Sequence, residues 1–383
     1  SSDLARARQI QAEYKFSGEE NVLIVEYAGR STVIPVPEMG EYDTAPTQYG
    51  DRPRLVAFRG ELILTSALIA LVEPGSGKKA YFLQGHGEGL PGVPPMQLVG
   101  QNLKRQNISV APLNLAGGNA VIPDDAALLV IAGAHFDPSP EELTALQAYW
   151  KGGGHMMVLL DPTGETPGLD ALLTSAGITP RHDRVLRLVS LGGAMGILRD
   201  VTGEFFGGSE ITGRLVGLNI LFAGNTCSLA LAFDPKEPEK TRPLIRAIHG
   251  FRGCSNYANA DGKGVTFDPV KDNFFPVIIA AMTDLGGVRD DRVSLGASRM
   301  VVVANCEFLK DKFLAGTGLD FLSSAINTLT DRTHLTGTTP KIKEFFTLNL
   351  DEQQIRFLAL WTMLAVPLGA ALLGALVLWR RRP

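Results

Sequence analysis

Two His-x-acid pairs, His86 with Glu88 and His135 with Asp137, each follow a short apolar run, and Asp161 and Glu307 follow two more. Imidazole and carboxylate groups gathered on one edge could ligate a metal ion, run acid–base chemistry or hold a polar ligand. The plainer reading is that loops at strand ends are polar and turn-rich in any sheet protein. It is favoured here because neither zinc-type spacing nor a nucleophile motif accompanies the six residues. Cys306 lies near a strand end, but its frame Ala304-Asn305-Cys306-Glu307-Phe308 lacks the two glycines of a nucleophile elbow. It reads as a small buried residue. No catalytic residue and no metal site are assigned, and the six remain candidates for ligand contact.

Nucleotide chemistry finds no support. In the stretch around Gly75-Ser76-Gly77-Lys78-Lys79, Val72 stands where a phosphate loop needs its leading glycine. Lys79 replaces the magnesium-binding hydroxyl residue, and the run precedes its strand. Gly87, Gly89 and Gly92 follow a strand at dinucleotide-fingerprint spacing, yet Glu88 would face the pyrophosphate and prolines crowd the helix start. No cofactor is expected.

The elements that must position these residues form a regular pattern from Lys78 onward. Ala80–Leu83 reads as a strand, Pro95–Gln106 as a helix and Ser109–Leu113 as a second strand. Ala127–Ala132 and His155–Leu160 are continuous apolar runs, the mark of strands buried on both faces. Between them Ser139, Pro140 and Glu142 supply an N-cap, a proline at N1 and a capping box, with Gly152 expected in the left-handed position past the end. This is a βαβ unit, which implies parallel strands and a right-handed crossover. Leu169–Ala176 is a further helix and Val185–Leu188 a further strand. After a weak stretch from 190 to 270, Pro276–Met282 and Arg299–Ala304 return to the sheet, and Gly318–Leu329 is a helix. The fold class is therefore α/β, a mainly parallel Rossmann-like sheet with helices on both faces.

Upstream, residues 4 to 14 suit a helix end, Val22–Glu26 and Thr32–Val36 a hairpin around Ala28-Gly29-Arg30, and the stretch from Gly60 a helix closed by Pro74-Gly75. Downstream, Phe357 to Trp379 carries no charge, and about 20 apolar residues suffice to cross a bilayer. Arg380, Arg381 and Arg382 follow at once and mark the cytoplasmic side. Ala370 with Gly374 and Ala371 with Ala375 would let a partner helix approach closely, unless the segment is a simple anchor. The expected organisation is an N-terminal subdomain at 1–75 and an α/β domain at 76–335, in which 78–188 begins the sheet and 189–335 completes it. A linker at 336–355 and a transmembrane helix at 356–380 follow. A body outside the cytoplasm needs an export element, and the opening Ser1-Ser2-Asp3-Leu4 supplies none, so one is expected upstream.

Composition agrees with a folded body: 383 residues, 45% hydrophobic and 20% charged. A net charge of −4 without a basic stripe argues against a nucleic-acid partner. Cys227, Cys254 and Cys306 lack metal spacing and read as free buried thiols, although Cys227 and Cys254 could pair in an oxidising compartment.

The order of blocks resembles a known family. Tyr81-Phe82-Leu83-Gln84-Gly85-His86-Gly87-Glu88 comes first, then Leu128-Leu129-Val130-Ile131-Ala132-Gly133-Ala134. A helix, a glycine run and His155–Pro162 follow, then Ser298–Leu309 with its Asn305-x-Glu307-Phe308, and one span ending in arginines. Over about 60–383 this is similar to the gliding-motility auxiliary (GldG-type) proteins of ABC-2 transport systems. The resemblance implies an extracytoplasmic domain of amidotransferase-like fold without a catalytic cysteine, anchored beside an ABC permease and its ATPase. It implies a non-enzymatic subunit at the bacterial inner membrane, with a saccharide, peptide or lipid-linked ligand possible. Cys306 replaces the family's commoner small residue, and no established catalytic residues carry over. Two alternatives stand beside it: a membrane-tethered hydrolase or metal-binding enzyme using the strand-end residues, and a purely structural adaptor.

Overall fold

A computed structural model describes residues 2–17, 21–43, 54–58, 60–72, 78–117, 120–191, 194–232, 240–255, 267–268, 270–286, 289–290, 293–294, 298–314, 316–331, 341–342 and 361. The chain divides into two units, Ser1–Lys341 and Ile342–Pro383. Apart from Trp361, the uncharged tail, including Ala370, Ala371, Gly374 and Ala375, lies outside the described residues. Among those described, no helix is long and apolar enough to cross a membrane.

The first unit opens with a helix at Ser2–Tyr14 and a hairpin of Val22–Tyr27 on Arg30–Pro35. Ala28 and Gly29 turn that hairpin, both at positive φ (49° and 76°), as a tight two-residue turn requires. The helix Gly60–Val72 packs Ile63 and Ala67 against Ile34 and Met39 in a small core of their own.

The central sheet has eleven strands, numbered here along the chain. They are β1 (Lys78–Leu83), β2 (Ile108–Leu113), β3 (Ala126–Ala132), β4 (Met156–Leu159), β5 (Ile178–Pro180) and β6 (Val201–Phe205). The rest are β7 (Asn219–Phe222), β8 (Leu229–Leu231), β9 (Thr241–Ala247), β10 (Ile278–Leu285) and β11 (Ser298–Val303). Four helices accompany it, α1 (Gln97–Arg105), α2 (Pro140–Lys151), α3 (Pro167–Ser175) and α4 (Thr317–Leu329). The order is β7-β6-β9-β10-β11-β4-β3-β1-β2, with β8 beside β10 and β5 beside β8.

β11, β4, β3, β1 and β2 are parallel, as the βαβ pattern requires. From β1 the chain steps one way to β2, and from β3 the other way to β4. Right-handed crossovers therefore put α1 and α2 on opposite faces. α4 joins the α1 face, where Ser323 Oγ donates to Asn102 Oδ1 at 3.1 Å. The buried strands read as continuous apolar runs because both faces are covered: Leu128, Leu129, Val130 and Ile131 are all essentially inaccessible. Pro112, which cannot donate to a ladder, is tolerated because β2 is an edge strand.

Beyond β11 the sheet turns antiparallel. β10 runs antiparallel to β11, and β9, β6 and β7 continue antiparallel from it. Between Ser175 and Thr317 the described residues contain no α-helix, and parallel neighbours need a crossover of about a dozen residues or more, usually helical. Arg184–Leu191, which contains the strand expected at Val185–Leu188, also leaves the main sheet. It pairs with Ala194–Leu198 and Arg252–Cys254 in a separate three-stranded one. At the end of α2 it is Gly153, at φ 102°, that takes the left-handed conformation, while Gly152 stays at φ −82°.

Candidate functional site

The carboxyl ends of β1, β3, β4 and β11 share one edge, and all six candidate residues lie on the loops that leave it or on the turns that follow. The loop after β1 turns on Gly85 and Gly87, at φ 124° and 93°. A Cβ on Gly87 would stand 3.1 Å from His135 Cβ, so glycine lets this loop lie against the loop after β3. His86 O accepts from His135 N and Phe136 N at 2.7 and 3.0 Å, which ties the two loops together.

Glu88 folds back onto His86. One carboxylate oxygen accepts from His86 N at 2.7 Å, and the other lies 2.9 Å from ring Nδ1. The ring's Nε2 lies 3.1 Å from Glu142 Oε2 in the first turn of α2. Ser139 N donates to that same oxygen at 2.8 Å, and Ser139 Oγ accepts from Glu142 N, so the capping box is complete. Both ring nitrogens of His86 thus face carboxylate oxygens. Burial would raise the Glu142 carboxyl, but hydrogen bonds from Ser139 and His86 outweigh it and hold the group below its ordinary value.

The second expected pair is not formed. His135 Nδ1 faces Asp161 Oδ2 at 3.0 Å rather than Asp137. Asp137 instead accepts from Gly168 N and Leu169 N at 2.8 and 3.1 Å, capping α3 in place of Thr166, which makes no side-chain cap bond. Asp161 Oδ1 accepts from the Thr163 N–H and hydroxyl at 2.8 and 2.6 Å. Burial pushes the Asp161 carboxyl up, but the Thr163 and His135 bonds prevail and hold it below its ordinary value. His135 is half-exposed and edge-on to Phe136, which is 65% exposed.

Glu307 pairs with Lys310 at 3.3 Å, apart from either histidine cluster. Its neighbour Asn305 is fully buried and pins the loop. Asn305 Nδ2 donates to Ala223 O, Asn225 O and Thr226 Oγ1 at 2.9 to 3.0 Å, and Oδ1 accepts from Phe308 N at 2.9 Å. None of the three cysteines is in a disulfide among the described residues. Cys227 and Cys254 are buried as expected, whereas Cys306 is only partly so. Burial, with Asp161 and Glu307 close by, pushes the Cys306 thiol up to about 12. Among the described residues no group of three or more His, Cys, Asp or Glu is arranged to hold a metal ion.

The six candidates thus lie along one edge, but they separate into a Glu88–His86–Glu142 cluster, a His135–Asp161 pair, a helix cap and a surface ion pair. Glu142, Thr163 and Asn305 escaped the reading as members of this edge. Glu142 carried a signal in its capping box, and Asn305 one in the Asn305-x-Glu307-Phe308 block.

No family model matches the chain, and no curated protein matches it in sequence. Among solved structures it is similar to the "mmIFT52 N-terminal domain", at 16% identity and TM-score 0.46, covering 66% of this chain and 97% of that one. A glutamine amidotransferase from Thermotoga maritima aligns at 9% identity and TM-score 0.36, covering 67% and 99%. A putative ThuA-like protein from Parabacteroides merdae aligns at 11% and 0.37, covering 72% and 95%. Likeness at this level is loose and assigns no activity to this chain.

Proposed function

We propose that this chain is a non-enzymatic, membrane-anchored auxiliary subunit of an ABC-2-type transporter, of the gliding-motility-associated (GldG-like) kind. Its α/β unit would work outside the cytoplasm. The observation that carries the non-enzymatic part is the internal commitment of the strand-end groups. Both ring nitrogens of His86, both oxygens of Asp137 and both of Asp161 are engaged within the fold. Such groups shape and stiffen a surface rather than wait for a substrate. The membrane part rests on the uncharged run Phe357 to Trp379 and the three arginines after it. Energy would come from ATP hydrolysis by partner subunits, and the unit would dock on a permease, with or without a saccharide, peptide or lipid-linked ligand.

The test is extraction from native membranes in mild detergent, with a form ending at Asp351 as control. Recovery of an ABC permease and ATPase with the full chain is expected. Recovery of the chain alone in both forms would sink the proposal. One observation favours a second reading, a membrane-tethered hydrolase: His135 Nδ1 is held by Asp161 on a half-exposed ring, an arrangement that orients an imidazole for proton transfer. Turnover of an ester or glycoside panel that His135→Gln abolishes would establish that reading instead. Partners without a saturable ligand would leave a structural adaptor.

A further inference from the structure

We propose that the face carrying Phe206, Arg246, His249, Arg252, Phe274 and Phe275 docks an acidic protein segment whose carboxylates pair with the two guanidinium groups. This face belongs to β9, the loop after β6 and the loops on either side of the Arg252–Cys254 strand. It is independent of the transporter reading.

Two aromatic–cation stacks stand side by side there. The Arg246 guanidinium carbon lies 5.0 Å from the ring centroids of both Phe206 and Phe275. The His249 ring continues that stack, 5.2 Å from Phe275 and tilted by 40°. In the second stack Arg252 lies 5.0 Å from Phe267 and 5.1 Å from Phe274. Because Phe274 and Phe275 are consecutive, the two stacks are neighbours. Both rings are large hydrophobics left open to solvent, 38% and 42% exposed.

A guanidinium held near two rings is restrained by cation–π contact but still has N–H groups to donate. Little side-chain freedom remains to be lost when an acceptor arrives. Arg246 already shows which acceptor it prefers, since its Nε donates to Glu204 Oε1 at 2.6 Å. That uses one of its five donors. Arg252 has no carboxylate in ion-pair range among the described residues. Arg187 adds a third cation beside Gly250, where its Nε would lie 3.1 Å from an added Cβ. Asp272 is turned inward onto Ser255, and Asp268 accepts from Val270 N. Among the described residues Arg252 is left without a carboxylate partner, and its guanidinium can take an anion.

Held planes suit the planar carboxylate, which takes guanidinium donors in pairs, and the open phenylalanine faces need apolar cover beside it. Arginine and aromatic residues together are the composition of protein-docking surfaces.

The test uses the full chain in mild detergent and a fluorescent peptide alternating glutamate with leucine, with its glutamine counterpart as control. Saturable binding is expected, about tenfold tighter for the glutamate peptide and weakening with salt. Arg252→Gln, an exposed change that leaves the core intact, should weaken binding about tenfold. Arg246→Lys should weaken it although charge is kept, because lysine cannot hold the stacked plane. Glu204→Gln should tighten it by removing the internal competitor. Equal binding of the two peptides, or binding indifferent to both arginine variants, would overturn the proposal. So would capture by phosphatidylglycerol vesicles, sensitive to Arg252→Gln, without peptide binding.

Discussion

His86 Nε2 lies 3.1 Å from Glu142 Oε2, which joins the loop after β1 to the first turn of α2. With Glu88 on the other ring nitrogen, the imidazole separates two buried carboxylates. His86→Ala should destabilise the fold by about 3–5 kcal/mol, because it leaves both acids uncompensated. Adding Glu88→Gln and Glu142→Gln to His86→Leu should recover most of that loss in urea unfolding. A histidine that served only an external ligand would show neither effect.

The capping box can be separated from this cluster. Ser139→Ala removes one cap bond and should cost about 1 kcal/mol. Glu142→Ala removes both the reciprocal bond and the His86 contact, so its cost should be clearly larger. Equal costs would mean that the His86 contact contributes nothing.

Asp161 sets an expectation in acid. Its carboxyl sits below the ordinary value in the folded state despite burial, through Thr163 and His135. Its contribution is therefore fully present above the unfolded value of about 3.9 and lost as pH falls through the lower, folded value. Thr163→Val should lower stability at neutral pH, and the two proteins should converge as the acid limb is descended. Parallel acid limbs would refute this.

Cys306 should resist alkylation in the native protein, since burial and two nearby acids hold its thiol up to about 12. Asp161→Asn should speed its labelling by iodoacetamide, read by mass spectrometry of the Cys306 peptide. Fast labelling of the unaltered protein would contradict the thiol's setting.

Gly133, at φ 78°, offers a steric test. An added Cβ would lie 2.7 Å from Cys306 Sγ and 3.0 Å from its Cβ. Gly133→Ala should cost about 1–3 kcal/mol through strain and crowding. Cys306→Ala should relieve part of it, with a coupling above about 0.5 kcal/mol in a double-mutant cycle.

What was legible in the sequence was local. Continuous apolar runs marked β3, β4 and β11, and Ser139, Pro140 and Glu142 marked the start of α2. Ala28 and Gly29 marked a turn. What was not legible depended on distant partners. Sequence spacing paired His86 with Glu88 correctly, because Gly85 and Gly87 fold that loop on itself. The same spacing misassigned His135, because Asp137 is drawn off by the open N–H groups of α3 and Asp161 arrives from the next strand. Strand direction after Ser175 was hidden for a related reason. An apolar run such as Ile278–Leu285 looks the same in either direction, and only the missing crossover helix betrays the reversal.

The sheet order also constrains how the chain comes to be folded. β4 is made early, yet its neighbour is β11, whose residues Ser298–Val303 are among the last of the unit to be synthesised. Until they appear, β4 presents an open, wholly apolar edge of the kind that recruits other chains. The two halves of the sheet meet only through β11, so neither is closed before synthesis passes Val303. A nascent chain of this design must be shielded, or kept extended, from the completion of β4 until β11 has been made.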